Sequence, residues 1–209
     1  MKLKNYVLLI PLLTAMSGCV KDRDVPVIPV ESVMSGPLLI QTSSTTKMLL
    51  KPNDLVINEF LADQDKTLPN QLVDDDYGMV SDWVELFNSR SDSAIVLYAG
   101  YWFLTDNLDS LGGFKTPANC TITIPPRGHY IFFCDDSAVY KTALHTNFGL
   151  SKHGEAIGIS YSTDGKKFTP VDSYTFPAQS KGVSTGRYPD GSNSWYQLIN
   201  PTPREANVN

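Results

Sequence analysis

From Asn53 to Asn209 the apolar residues come in blocks of four to six separated by turn-formers. Only Asp136–Leu144 has the length and composition of even a short helix. Two blocks set the pattern, Leu55-Val56-Ile57-Asn58-Glu59-Phe60 and Asp82-Trp83-Val84-Glu85-Leu86-Phe87. Each reads as a strand with one acid beside its apolar residues, and each stops at a polar turn-former. Plain alternation places Leu55, Ile57 and Glu59 on one face of the first strand and Val56, Asn58 and Phe60 on the other. In the second, Trp83, Glu85 and Phe87 oppose Val84 and Leu86.

Further blocks follow at Ala94–Leu97, Tyr101–Leu104, Thr121–Ile124, Tyr130–Phe133, Ala156–Ser160, Val171–Phe176 and Trp195–Leu198. Between them stand Gly112-Gly113, Pro125-Pro126-Arg127-Gly128, Asp164-Gly165 and Asp190-Gly191, residues that supply the turn geometry antiparallel strands need. Short strands at this spacing, without crossover helices, predict an all-β β-sandwich and not a parallel sheet.

Ahead of the domain, Lys2 and Lys4 precede the apolar run Tyr6–Leu13, too short to span a bilayer permanently but suited to an export signal. Thr14-Ala15-Met16-Ser17-Gly18-Cys19 then resembles a bacterial lipoprotein signal, with Met16 where Leu is more typical. The resemblance implies cleavage after residue 18 and lipidation of Cys19. Two or three acyl chains on that cysteine would hold the protein stably to a membrane, where one chain alone is marginal.

The chain has 17 basic and 22 acidic residues. Removal of residues 1–18 takes away Lys2 and Lys4 and no acid, leaving a net charge near −7. This balance disfavours unspecific attraction to nucleic acid or anionic headgroups, so no nucleic-acid partner is expected and the membrane is reached through the lipid. Residues 19–52 contain Pro26, Pro29, Pro37 and Pro52 and the polar run Ser43-Ser44-Thr45-Thr46, and read as the lipidated cysteine with a flexible tether. Within it, Lys21-Asp22 with Asp24 resembles the charged export signal of Bacteroidetes-type surface lipoproteins and equally fits a solvated linker. Pro37-Leu38-Leu39-Ile40 is apolar enough to lie along the domain.

Residues 53–209 form one domain. Leu55–Phe60 followed by Asp82-Trp83-Val84-Glu85-Leu86-Phe87-Asn88 resembles the opening of a lamin tail domain, an immunoglobulin-like β-sandwich. The similarity continues through Ile124-Pro125-Pro126-Arg127-Gly128-His129-Tyr130 and Phe148-Gly149-Leu150-Ser151-Lys152-His153-Gly154-Glu155. It resumes at Gly186-Arg187-Tyr188-Pro189-Asp190-Gly191 with Trp195, and closes at Pro201-Thr202-Pro203 and Asn207, with Arg204 where bacterial members commonly have Gly. The resemblance implies fold maintenance and no shared reaction. Nuclear lamina function does not carry over, because an export leader stands where a coiled-coil rod would be.

Glu59 and Glu85 sit in otherwise apolar strands. If they face inward, each needs a backbone amide or a cation such as Arg187, because an unpaired buried carboxylate is costly. The rival reading is a glycosidase-like carboxylate pair, which would need an open cleft. Arg187 is expected against a carboxylate beside the Asp190-Gly191 turn. Trp83, Trp102 and Trp195 are expected as core anchors in preference to stacking platforms. His129, His145 and His153 lack the spacing of a helical zinc motif, and neither a nucleophile elbow nor a phosphate-binding glycine loop is present.

Cys120 and Cys134 flank an expected hairpin in which Ile124 opposes Tyr130, a register that brings the two sulfurs to one face. They are read as a disulfide or as two small buried thiols. In the acidic run Asp74-Asp75-Asp76-Tyr77-Gly78, Asp74, Asp76 and Asp82 are candidate structural calcium ligands, with Asp63 or Asp65 in support. The spacing departs from an EF-hand loop, and the alternative is a solvated acidic loop. No other cofactor is expected.

Together these features point to a noncatalytic outer-membrane lipoprotein, facing the periplasm or exposed at the cell surface. It would act as a binding, adhesion or assembly module for an envelope protein or extracellular glycan. The alternatives are a carbohydrate-binding accessory module and, behind it, an uncharacterised hydrolase.

Overall fold

A computed structural model describes residues 20–21, 39–41, 47–65, 67, 80–138 and 143–209. Residues 1–19, with the signal segment and Cys19, and most of the tether lie outside the described residues, as do Asp74 and Asp76 of the acidic run. The strands are β1 (Val20–Lys21), β2 (Leu39–Gln41), β3 (Lys47–Leu49), β4 (Leu55–Leu61), β5 (Asp82–Asn88), β6 (Ile95–Leu97), β7 (Trp102–Thr105) and β8 (Phe114–Lys115). They continue as β9 (Cys120–Ile124), β10 (His129–Cys134), β11 (Leu144–His145), β12 (Gly154–Tyr161), β13 (Thr169–Pro177), β14 (Ser184–Arg187) and β15 (Trp195–Leu198).

The described residues are all-β. Six strands form one sheet in the order β11-β10-β5-β4-β14-β15, four form a second in the order β13-β12-β7-β8, and β1-β9-β6 form a third. All of these pairs are antiparallel except β10–β11, which is parallel. Strands β2 and β3 pair as a small hairpin that approaches β6. Part of the region read as tether therefore has strand structure. The short helix considered for Asp136–Leu144 falls partly on residues 139–142, outside the described set. Its described flanks are irregular at Asp136–Ala138 and strand at Leu144.

One core joins the three larger sheets. Leu55, Ile57, Phe60, Val84, Leu86, Tyr130 and Phe132 come from the six-stranded sheet. They meet Ile95, Leu97, Ile122 and Ile124 of the third sheet and Trp102, Leu104, Ile157, Ile159 and Phe176 of the second. Burial of each large apolar side chain contributes on the order of 1.5–3 kcal/mol, so this layer carries the fold. The six-stranded sheet is covered on its other face too, where Leu61, Trp83, Ile131 and Phe133 form a second cluster. That double coverage leaves β4 buried along its whole length.

Two expectations are corrected by the pairing. The register of β4 against β5 slips between Ile57 and Glu59, making Asn58 an extra residue. A bulge of this kind reverses the side-chain phase beyond it. Glu59 therefore leaves the face of Leu55 and Ile57 and joins Val56 and Leu61, while Phe60 turns into the core. Strands β9 and β10 are likewise no hairpin, since β9 pairs with β6 and β1 whereas β10 pairs with β5 and β11. The Pro125–Gly128 turn, with Arg127 at φ 56°, carries the chain from one sheet to another. Cys134 is accordingly a free, fully buried thiol, and the Cys120–Cys134 bridge is not formed.

Candidate functional site

The Asn58 bulge lies at the centre of an extended buried polar network. A bulge frees backbone groups from the ladder, and buried backbone groups must find other partners. Arg187 and Asp172 meet that need from the core side. The Ile57 N–H donates to Asp172 Oδ2 at 2.8 Å, and the Ile57 carbonyl accepts from Arg187 Nε at 2.7 Å. Arg187 closes the arrangement by donating through Nη2 to Asp172 at 3.0 Å and through Nη1 to the Ser192 carbonyl at 2.6 Å. Its guanidinium also lies 4.5 Å from the ring centre of Trp195, which stacks on Tyr174 at 3.9 Å. The carboxylate that holds Arg187 is thus Asp172, and neither glutamate uses this cation.

On the opposite face of the same strand, Glu59 and Glu85 are direct neighbours across β4 and β5, both fully buried. The segment Thr202–Asn207 crosses over them. Glu59 accepts from the Thr202 N–H at 3.0 Å, the Thr202 hydroxyl at 2.9 Å and the Ser184 hydroxyl at 2.5 Å, while Glu85 accepts from the Arg204 N–H at 2.5 Å. Asn207 pins the far end, donating from its side chain to the carbonyls of Asn58 and Arg187 at 3.3 and 2.8 Å and from its N–H to Asp190 Oδ1 at 2.9 Å. Asn58 itself grips the turn before β15, donating to Asp190 Oδ1 at 3.1 Å and accepting from the Gly191 N–H at 3.0 Å.

The electrostatics follow from this burial. Loss of solvent pushes the Glu59 carboxyl above its ordinary range despite its donors from Ser184 and Thr202. Burial, together with the charge of Glu59, drives Glu85 well above its ordinary range, with the Arg204 N–H opposing. Three donors serve Glu59, whereas Glu85 has the Arg204 N–H and a weaker contribution from the Asn58 side chain and keeps an Oε1 without a hydrogen-bond partner among the described residues, so Glu59 ionises first. His129 Nε2 stands 3.9 Å from Glu85 Oε1 and 3.4 Å from Asp190 Oδ2, without hydrogen-bond geometry. Asp190 is nonetheless lowered, because His129 and the amides of Asn207 and Asn58 outweigh its burial. Both glutamates are sealed from solvent, whereas carboxylates that cleave a sugar bond must reach one.

The remaining candidates lie elsewhere. Asp82 is part-buried and pushed up to about 7, chiefly by burial, with the Leu150 N–H opposing and Asp63 and Glu155 adding repulsion. Asp65 accepts from Thr67 and pairs with Lys181 at 3.2 Å, and Asp63 lies 3.9 Å from Lys152. Among the described residues no group of three or more His, Cys, Asp or Glu side chains is arranged to hold a metal ion. His145 is buried on β11 with Nδ1 2.7 Å from Asp135. Trp83 and Trp102 are core residues, whereas Trp195 is half-buried.

The exposed large apolar side chains among the described residues are Tyr188, Tyr196, Ile199 and Val208, all within the stretch just past β14. The Tyr188 and Tyr196 rings meet edge to face at 6.2 Å. No family profile, curated protein or solved structure matches the chain.

Proposed function

We propose that this chain is a noncatalytic cell-envelope lipoprotein anchored through Cys19, whose immunoglobulin-like sandwich of the lamin-tail type serves as a binding, adhesion or assembly module. The observation that carries the reading is a division of labour along the chain. The fully buried acids Glu59 and Glu85 are engaged in holding the 202–207 segment, while the exposed large apolar side chains gather at 188–208. Buried acids that cap backbone donors serve the fold, and a clustered apolar surface serves recognition. A carbohydrate ligand is favoured by the exposed Tyr188 and Tyr196 rings, since aromatic faces stack on sugar rings.

The test compares the wild-type chain with a Tyr188→Ala, Tyr196→Ala variant in a glycan and envelope-protein capture experiment. A ligand captured by the wild type and lost by the variant supports the reading. Capture indifferent to both substitutions, or turnover of a substrate that depends on Glu59 or Glu85, overturns it. Intact-mass measurement decides the anchor. An acylated chain beginning at Cys19 supports it, and a chain still beginning at Met1 removes it.

A further inference from the structure

We propose that β15 is a self-association edge, at which two copies of this chain pair antiparallel and join their six-stranded sheets into one. The inference rests on the reading of the 188–208 surface as the contact face and names its first partner.

A sheet edge exposes unpaired backbone groups, and proteins that stay apart blunt such edges by shortness, lysine, proline or a covering element. The other edges here show those devices. Strand β11 has two residues, β1 is Val20–Lys21, and β8 is Phe114–Lys115 with Lys115 exposed. Strand β6 has three residues with β2 close to it, and β13 carries Pro170 and Pro177. Among the described residues, strand β15 has none of them. It pairs with β14 on one side, ends the sheet on the other, and reads Trp-Tyr-Gln-Leu with Tyr196 and Gln197 exposed.

Charge selects the occupant. Residues 191–203 contain no Asp, Glu, Lys or Arg, in a chain of net charge −5. Two copies repel over most of their acidic surfaces, and this stretch is where they approach without like-charge contact. Nothing in it would steer a strongly charged partner. An antiparallel pair of identical strands is also self-complementary, as a two-fold interface requires. Pairing would bring the Tyr188 and Tyr196 pairs of two copies onto one continuous sheet face, doubling the aromatic surface.

The experiment is sedimentation of the full chain in density-matched detergent across a wide concentration range, with the wild type beside a Tyr196→Lys, Gln197→Lys variant. The expected result is a concentration-dependent dimer that the lysines weaken about tenfold or more with the melting temperature unchanged. Should the double variant fail to fold, Gln197→Glu alone gives the same comparison. A chain that stays monomeric throughout, or a dimer indifferent to these charges, overturns the proposal. Ligand capture that persists in a monomeric wild type leaves the functional reading standing while this one falls. A β15 dimer that captures nothing sinks the functional reading alone.

Discussion

Glu59 and Glu85 face each other in register on adjacent strands, both fully buried, and the donors that cap them include the N–H groups of Thr202 and Arg204. Both acids are raised in the folded state, so over the range between their unfolded and folded values the native chain holds more protons than the unfolded one. Their contribution is therefore most favourable at and below the unfolded glutamate range and declines as pH rises through the folded values, by up to about 1.4 kcal/mol per pH unit for each proton. Glu85→Gln, which keeps an acceptor for the Arg204 N–H, is expected to flatten the alkaline side of the stability profile. Glu59→Gln removes an acceptor from a fully occupied site and is expected to cost about 1–3 kcal/mol. Urea unfolding of the three proteins across pH checks both. A Glu85→Gln profile as steep as the wild type contradicts the assignment of the late-ionising acid.

Asp82 supplies a second, separable pH effect. Its folded value of about 7 lies above the unfolded one, so its contribution falls through the mildly acidic range up to about neutral pH. Asp82→Asn is expected to remove that slope and to gain relative stability at and above neutral pH. Melting temperatures of the wild type and Asp82→Asn chains at acidic and alkaline pH test this, and parallel curves would refute it.

The Arg187–Asp172 pair replaces ladder bonds that β4 gives up at its bulge. Arg187→Met leaves the Ile57 carbonyl and Asp172 without their cation and is expected to cost about 3–5 kcal/mol, a melting loss on the order of 10 °C. Arg187→Lys should recover little, because one ammonium does not reproduce three directed contacts to Ile57, Asp172 and Ser192. Calorimetry of the two variants decides it, and full rescue by lysine would contradict the geometric account.

Gly186 is the narrow point between the strands and the covering segment. A methyl group added there would lie 2.5 Å from Asn207 Nδ2, 2.8 Å from Leu198 Cδ1 and 3.2 Å from Glu59 Cγ. Gly186→Ala is therefore expected to lift the 202–207 segment, cost about 1–3 kcal/mol and speed amide exchange at Thr202, Arg204 and Asn207. Unchanged exchange at those three amides would count against the arrangement.

Most strands were legible from their apolar blocks, and Trp195–Leu198 agrees to the residue. Strand β14 was not. Its sequence Ser-Thr-Gly-Arg offers no apolar periodicity, yet every residue in it is buried. Ser184 and Arg187 are buried through hydrogen bonds, on the Glu59 face and the core face respectively, and Gly186 through closeness of approach. The same cause hid the partners of the glutamates. Thr202 and Asn207 are polar residues of an ordinary terminal stretch and Asn58 a polar residue in an apolar strand until the fold brings them together, and Asp172 sits in a strand read from its neighbours. Alternation also failed at Asn58, because an inserted residue leaves no mark on composition while it exchanges the faces of Glu59 and Phe60. The notion of a carboxylate needing backbone donors came from chemistry alone, and identifying those donors required the topology.

The seam that joins β4 to β14 in the six-stranded sheet closes a long loop, with Glu59 bonded to Ser184 across 125 positions of sequence. Closing so long a loop costs entropy before any contact returns it, and chains dominated by such contacts fold slowly. Strands β4 and β5 can pair early, but Glu59 and Glu85 then lie side by side without their covering segment until the distant part of the chain arrives. The barrier to folding should therefore sit at the docking of β14. Substitutions that weaken this seam late in assembly would chiefly speed unfolding, leaving the β4–β5 pair free to form at its own rate.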